Sequence, residues 1–343
     1  MGRFARCDGV LREACGAMFT GAVARVEHRG VPVFERAYGR TREDDQARDV
    51  YVDTRFDLAS LTKLFIATTA LHMVARGQWA LDEPLAGRIP RWRGTARERI
   101  TLRMLLTHTS GIQSGADYRT LLDENVESFA LSGALAASPG ERVIYSDLGF
   151  IVLGALIASA RGTSLACATR ERFASRSLGF APRGRERGAI PATEETAWRG
   201  RVQGAVHDEK AFLMGGCAGH AGLFGTAADV GSMTQAYLGA RCGRAPTLLP
   251  ADLAIEATQE AAYDPVLRRG LGWALKTSAS NSCGDRFGGA SFGHTGFVGT
   301  CVWADPQRDV IGILLTNSVF FGRGDSRPLR AAFYDAVIED LET

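Results

Sequence analysis

A serine and a lysine three residues apart, in the stretch "ASLTKLF" (59–65), have the types and spacing of a nucleophile and its base. This spacing places Ser60 and Lys63 on one face of a helix, one turn apart. A serine hydroxyl needs an adjacent base, and a lysine can be that base once burial lowers its pKa. Only three of the 40 basic residues are lysines (Lys63, Lys210, Lys276), and arginine cannot lose its proton. A lysine here therefore indicates proton transfer, although a helix N-cap serine beside a solvent-directed lysine is the alternative.

Two other stretches carry polar side chains beside apolar segments. Tyr145 and Asp147 lie at the start of the apolar run "DLGFIVLGALIA", where Asp147 could equally be the N-cap of a helix and Tyr145 an ordinary half-buried aromatic. His294, Thr295 and Gly296 lie in "SFGHTGFVG", at the edge of a predicted strand. Glycine there would let backbone N–H groups approach a ligand, whereas an isolated strand histidine is usually a cross-strand contact.

The stretch "LMGGCAGHAGLFGT" (213–226) holds five glycines and His220. A phosphate-binding loop is excluded because the stretch lacks the lysine of G-x-x-x-x-G-K-[ST]. A metal site is disfavoured as well, because the nearby His207, Asp208 and Glu209 show no regular ligand spacing. We predict the wall of a pocket and no metal, with His220 either contacting the substrate or holding the loop to the 207–208 segment.

The predicted elements indicate a fold of the α/β (α+β) class. A helix over 7–18 and a hairpin around "HRG" precede a buried helix over 58–76 that ends at Gly77. The middle of the chain is mainly helical, strands return after residue 270, and a last helix covers 328–341. We therefore predict an antiparallel sheet flanked by helices and built from both chain ends, with an inserted helical lobe.

The predicted lobes and the composition narrow the class of protein further. The sheet lobe covers 1–82 and 262–343, and the helical lobe covers 83–261.

Basic and acidic residues nearly balance, 40 against 38, so nucleic acid is not indicated as a partner. The longest apolar run, 150–160, is too short to span a membrane. Seven cysteines without a C-x-x-C pair indicate reduced thiols. We expect a cytoplasmic protein as the chain is given, or a periplasmic one if a leader was removed.

Five stretches occur in an order and spacing that resemble the motifs of one family. They are "FDLASLTK", "LLTHTSGI", "YSDLGFIVLG", "GHAGLFGTAADV" and "GHTGFVGT". Together they resemble the class C β-lactamase-related, penicillin-binding-protein-like serine hydrolases, a family that includes D-alanyl-D-alanine carboxypeptidases, esterases and D-aminopeptidases. The resemblance implies a β-lactamase/transpeptidase-like fold, an active site between the two lobes and no cofactor.

The same resemblance implies a role for each matching residue. Ser60 would be the acylated nucleophile and Lys63 its proton acceptor or electrostatic partner. Tyr145 would be the general base shared with Lys63, and then the acid that protonates the leaving group. The backbone N–H groups of Ser60 and Phe297 would form the oxyanion hole. His108 of "LLTHTSGI" is expected to be structural.

The remaining matching residues are expected to contact the substrate. They are Asp147, His220, His294, Thr295 and Gly296. At two of them the chain departs from the β-lactamase pattern: His294 stands where lysine is common, and Asp147 where asparagine is usual. Both changes make the pocket less cationic, since histidine is only partly charged at pH 7 and Asp147 adds a negative charge beside Lys63.

These departures favour ester or amide hydrolysis of a neutral or amine-bearing substrate, which would be a small molecule or derived from peptidoglycan. One alternative is a β-lactamase or D-Ala-D-Ala carboxypeptidase. The other is a non-catalytic binder or sensor that keeps the fold. The sequence leaves the oligomeric state open.

Overall fold

The computed structural model describes residues 3–277 and 281–343 and contains helices around an antiparallel sheet. The α-helices of the described residues are α1 Ala5–Ala14, α2 Thr62–Ala75, α3 Leu102–Leu106, α4 Val126–Ser132, α5 Asp147–Arg161, α6 Leu165–Phe173, α7 Glu209–Leu213, α8 Ala227–Arg241, α9 Ala251–Ala257 and α10 Arg327–Glu342. The strands are β1 Gly21–His28, β2 Val31–Gly39, β3 Phe56–Asp57, β4 Gly179–Phe180, β5 Glu194–Thr196, β6 Gly200–Val202, β7 Leu223–Gly225, β8 Ala274–Leu275, β9 Phe292–Thr295, β10 Cys301–Asp305 and β11 Val310–Thr316. Short 3₁₀ helices lie at Ala59–Leu61, Leu85–Gly87, Pro90–Trp92, Tyr118–Leu121, Gly184–Ala189 and Ser318–Phe321.

The main sheet has six strands in the order β2-β1-β11-β10-β9-β8, and neighbouring strands are antiparallel. The predicted hairpin is confirmed: β1 and β2 pair across a two-residue turn in which Arg29 and Gly30 have φ of 53° and 81°. Two successive positive φ values are those of the turn that suits the strand twist of a hairpin. The sheet is built from both chain ends, as the sequence predicted.

Helices cover both faces of this sheet. On one face α1 packs beside α10, and the cluster there includes Leu11, Trp303 and Phe333. On the other face α8 lies against β1 and β11. The first helix begins and ends earlier than predicted, at Ala5–Ala14 rather than 7–18.

Helix α2 is buried on nearly every side, as predicted from a sequence that is apolar on nearly every face. It ends with Gly77 in the left-handed conformation, at φ of 66°. The Gln78 N–H donates to the Met73 carbonyl and the Gly77 N–H to the Val74 carbonyl, the two bonds of a Schellman motif. This helix carries Lys63 into the interior of the protein.

The division into lobes at 82/83 and 261/262 stays a prediction. One continuous hydrophobic cluster contains residues of both predicted lobes, among them Val23, Leu64, Leu153 and Ile313. Within the described residues, no single helix is long and apolar enough to cross a membrane; α5 and α6 pass that test only as a pair, bent by 80°. All seven cysteines are free thiols.

Candidate active site

Ser60 follows a strained turn that a buried carboxylate holds in place. Ala59 has a φ of 46°, which is unusual for a residue with a side chain. Its N–H donates to Asp57 Oδ1 at 2.8 Å, and the His207 N–H donates to Asp57 Oδ2 at 2.7 Å. Burial raises the pKa of Asp57 to about 6, against these two hydrogen bonds. The turn leads directly into the 3₁₀ helix that carries Ser60 and continues as α2.

Lys63 contacts the nucleophile and two other groups with its ammonium. Lys63 Nζ donates to Ser60 Oγ at 3.0 Å, to Asp147 Oδ1 at 2.8 Å and to the His220 carbonyl at 3.1 Å, and its side chain is fully buried. Burial by itself lowers the pKa of Lys63, but the nearby Asp147 and Tyr145 outweigh it and raise that pKa. The lysine therefore keeps its proton: the negative charge expected from Asp147 outweighs the burial that would otherwise free Lys63 to act as a base.

Asp147 belongs to a closed ring of charged groups behind Ser60. Its Oδ2 lies 3.4 Å from Lys210 Nζ, which lies 3.2 Å from Asp208 Oδ2. Asp208 Oδ1 lies 2.8 Å from His220 Nε2, and the His220 carbonyl closes the ring on Lys63. We call these five residues the lysine ring. Burial raises the pKa values of both carboxyls, but neighbouring groups outweigh it and hold these pKa values below their ordinary value. Lys63 contributes most to this lowering for Asp147, and His220 contributes most for Asp208.

Lys210 is a member of this ring that lies in none of the five sequence motifs. The signal was in the composition, because Lys210 is one of only three lysines in the chain. Asp147 is not the N-cap of α5: that position belongs to Ser146, whose side chain accepts from the Gly149 N–H. The Asp147 carboxylate is thus free to bind the two lysines.

The ring contains the one group of possible metal ligands found in the described residues. Ligand atoms of Asp147, Asp208 and His220 lie within 4.8 Å of one another. Lys63 and Lys210 already contact both carboxylates, so a divalent cation would have to displace two ammonium groups. We therefore propose no metal site here.

The glycine-rich stretch 213–226 supports Lys63 through its backbone. A side chain at Gly219 would place its Cβ 1.9 Å from the Phe150 carbonyl oxygen, and Gly219 packs directly on Gly154 of α5. Gly222 has a φ of 108°, which favours glycine. This close approach brings the His220 carbonyl to Lys63.

Tyr145 is positioned by His108. The His108 carbonyl accepts from the Ile144 N–H at 2.7 Å and its Nδ1 from the Ser146 N–H at 2.9 Å, so both neighbours of Tyr145 are held. The rings of His108 and Tyr145 lie 4.5 Å apart, and Lys63 Nζ lies 4.9 Å from the centre of the Tyr145 ring. His108 is structural in this arrangement, as expected.

The edge of β9 lies against the turn that carries Ser60. A Cβ at Gly296 would lie 2.9 Å from the Leu58 carbonyl oxygen, and Arg330 Nη2 donates to the Gly296 carbonyl at 2.7 Å. His294 Nδ1 lies 2.8 Å from the Thr295 carbonyl, so it carries the proton and leaves Nε2 as an acceptor. Burial, together with nearby positive charge, lowers the pKa of His294 to about 3. His294 is therefore neutral at pH 7 rather than partly charged.

A cleft of about 480 Å³ opens in front of Ser60. The predicted site residues that line it are Ser60, Tyr145, His294, Thr295, Gly296 and Phe297. Asp147 and His220 are not part of its lining, and their side chains are engaged in the lysine ring. We therefore assign these two residues to the support of Lys63 rather than to substrate contact.

A serine and a buried lysine in contact beneath a cleft, on a sheet flanked by helices, define the class of β-lactamase-like serine hydrolases. The family model Beta-lactamase matches residues 12–335, and the chain belongs to this family. It is similar to "Esterase EstB" of Burkholderia gladioli, with 31% identity over 97% of this chain and 94% of the relative. It is also similar to "N-acetylmuramyl-L-alanine amidase" of Bacillus subtilis (strain 168), with 28% identity over 91% and 80%.

The fold has solved counterparts in the same class. The structure of "EstCE1, a hydrolase with promiscuous acyltransferase activity" superimposes with a TM-score of 0.77 and 22% identity, over 98% of both chains. The predicted β-lactamase/transpeptidase-like fold is thus confirmed, and the protein is a serine hydrolase of the β-lactamase family.

Proposed function

We propose that this serine hydrolase acts through an acyl-enzyme on Ser60 and cleaves an ester or amide bond of a small substrate. The observation that carries the proposal is the 3.0 Å contact between Ser60 Oγ and Lys63 Nζ next to a cleft that Ser60 and Tyr145 line. A hydroxyl activated by neighbouring groups at a cleft is the arrangement that covalent catalysis requires.

Tyr145 accepts the serine proton in this mechanism. Lys63 keeps its own proton, because Asp147 holds its pKa up, so it cannot also take one from Ser60. As Ser60 Oγ attacks the carbonyl carbon, its proton passes to the phenolic oxygen of Tyr145, and the Lys63 ammonium stabilises the negative charge that develops between them. The Tyr145 hydroxyl then protonates the leaving group as the bond to it breaks.

The oxyanion forms between the Ser60 turn and the edge of β9. The backbone N–H groups of Ser60 and Phe297 are the donors, and the close approach at Gly296 brings the two segments together. Water then attacks the acyl carbon and gives a proton to Tyr145, and Tyr145 passes a proton to Ser60 Oγ as the acyl–oxygen bond breaks, which releases the acid and restores the serine hydroxyl. His294 and Thr295 line the cleft beside the acyl group.

The substrate is a small ester or amide, or a fragment derived from peptidoglycan. Two relatives support this range, one named an esterase and the other an N-acetylmuramyl-L-alanine amidase. A cytoplasmic protein would process recycled wall fragments or small esters, and a periplasmic one the wall itself.

A substrate panel with a serine variant tests the proposal. Wild type, Ser60→Ala and Ser326→Ala are assayed on 4-nitrophenyl esters, D-amino-acid nitroanilides, D-Ala-D-Ala peptides and nitrocefin, and are labelled with a fluorophosphonate. Ser326 lines the same cleft and its side chain makes no capping bond, so it is the matched control. We expect Ser60→Ala to lose labelling and at least about 10³-fold in kcat, with Ser326→Ala unchanged. Labelling without repeated turnover would indicate a binder, and turnover by Ser60→Ala would refute the assignment.

A further inference from the structure

Five arginines line the cleft within the described residues, and four of them have partners. Arg268 pairs with Glu260, Arg323 with Glu194 and Glu209, and Arg327 with Asp325. Arg330 donates to backbone carbonyls. The fifth is Arg269, whose guanidinium lies over the Tyr145 ring and makes no hydrogen bond or ion pair with any side chain or carbonyl of residues 3–277 and 281–343.

Arg269 is nevertheless buried and held in place. Only 6% of the residue is exposed, and its Nε is buried without a partner. Its backbone is fixed on both sides, because its N–H donates to the Ala262 carbonyl and its carbonyl accepts from the Ala261 N–H, each at 2.9 Å. The guanidinium lies 5.2 Å from the centre of the Tyr145 ring. A fixed positive charge therefore stands beside the reacting groups.

A buried guanidinium without hydrogen bonds is destabilising unless something satisfies it, because a guanidinium stays charged and offers five donors. Planar anions satisfy such a fork best, through two parallel hydrogen bonds. Arg269 lines the cleft that Ser60 and Tyr145 also line. We propose that Arg269 is a specificity-determining residue that binds a carboxylate of the substrate.

This inference rests on the proposed function, since it takes the Ser60 cleft as the substrate site. It also changes the sequence-based expectation of a neutral or amine-bearing substrate. That expectation considered positions 147 and 294, where the structure does show a paired lysine and a neutral histidine. Arg269 supplies positive charge from a segment that none of the motifs contains. The carboxylate can belong to the acyl group or to the leaving group, and the experiment separates the two.

Two pairs of matched esters test the assignment. On the acyl side, mono(4-nitrophenyl) adipate is compared with 4-nitrophenyl hexanoate; on the leaving-group side, 3-acetoxybenzoate is compared with 3-acetoxybenzamide. The enzymes are wild type, Arg269→Gln, Arg269→Lys and Arg268→Gln. The last is the matched control, because it removes one positive charge from the adjacent residue of the same cleft.

We expect Arg269→Gln to lower kcat/KM about 10- to 100-fold for the anionic ester of one pair, mainly through KM, the loss typical of a charge-assisted hydrogen bond. The neutral ester of that pair should change less than about threefold, Arg269→Lys should recover part of the loss, and Arg268→Gln should not discriminate within either pair. The pair that responds identifies the side of the carboxylate. Equal losses on anionic and neutral esters would overturn the proposal, as would no loss on either anionic ester.

A binding measurement keeps the test independent of turnover and of the variant's stability. Calorimetric titration of Ser60→Ala with 3-hydroxybenzoate, adipate and 3-hydroxybenzamide needs no catalysis. We expect an anion to bind at least about tenfold more tightly than the amide, and this preference to vanish in Ser60→Ala/Arg269→Gln. No turnover of any ester by the wild-type enzyme, with the anion preference retained in the titration, would refute the proposed function alone. Equal affinities for anions and amide would refute the role of Arg269.

Discussion

The buried positive charges on the two sides of Ser60 differ in whether they have a carboxylate partner. Behind the nucleophile, Lys63 and Lys210 alternate with Asp147 and Asp208, and every ammonium contacts a carboxylate. In front of it, Arg269 is equally buried but meets no carboxylate within the part of the chain that the structure describes. Both sides lie within reach of Tyr145, since Lys63 and Arg269 each approach its ring.

The contrast separates charges that organise the site from a charge that is available to a ligand. Burial of an ion is costly, and a partner inside the protein removes most of that cost. In the lysine ring each charged group has such a partner within the protein. Arg269 has only the Tyr145 ring beside it and lines the cleft, so its guanidinium is available to a ligand. The first two predictions below test the paired side, the third tests the neutral histidines beside the cleft, and the matched esters test Arg269.

The largest effect is expected from removing the ring's contact with the nucleophile. Lys63→Met should lower kcat on 4-nitrophenyl esters at least about 10³-fold. The reason is that no ammonium then stabilises the negative charge that develops as the serine proton passes to Tyr145. The control is Lys276→Met, since Lys276 donates to the Asp285 and Phe287 carbonyls and lies outside the ring. A Lys63→Met enzyme with more than about a tenth of the wild-type kcat would show that the ring does not take part in the chemistry.

A smaller effect, on the free energy of unfolding, is expected when one charged group of the lysine ring is made neutral. Asp147→Asn leaves two ammonium groups without their shared carboxylate, and Lys210→Gln leaves two carboxylates with one lysine fewer. Each should lower the free energy of unfolding by about 2–3 kcal/mol, measured with urea.

Charge balance predicts how these two changes combine. In the double variant one positive and one negative charge are removed together, so its loss should fall short of the sum by about 1 kcal/mol or more. Losses that add to within about 0.5 kcal/mol would mean that the two residues do not compensate each other.

The smallest effect concerns the neutral histidines beside the cleft. Burial, with nearby positive charge, lowers the pKa of His294 to about 3 and that of His108 well below its ordinary value. The unfolded chain binds these protons near pH 6.5 and the folded chain does not. Stability is therefore fully present above pH 6.5 and falls as the pH decreases, by about 1.4 kcal/mol per pH unit for each such histidine.

Replacing the imidazole of His294 tests the sign of this effect of pH on stability. His294→Gln should reduce the loss of unfolding free energy between pH 6 and pH 5 by about 1.4 kcal/mol. His28→Gln is the control, because the pKa of that half-buried histidine is also lowered but its ring is less shielded from water, so the slope should change less. An unchanged slope in His294→Gln would mean that the histidine is protonated in the folded protein.

Much of the fold could be predicted because its signals are local. Neighbouring residues alone show the alternation of apolar and polar residues in the β1–β2 hairpin. They also show the largely apolar composition of α2 and the glycine that ends this helix. The boundaries were less accurate, as in α1, because helix ends depend on which contacts the rest of the chain provides. The lobe division remained unresolved because the core runs through both predicted parts.

The sequence by itself placed Ser60 and Lys63 on one face of a helix, one turn apart, because residues three apart in a helix lie on the same side. Its ordered motifs placed Tyr145 and His294 with them. Only the tertiary structure decided the charge of these groups. Lys63 keeps its proton and His294 remains neutral because of neighbours that lie far away in the chain. The glycine-rich loop, Lys210 and Arg269 acquired their roles in the same way. Burial and electrostatic partners are properties of the folded chain, so spacing along the sequence cannot specify them.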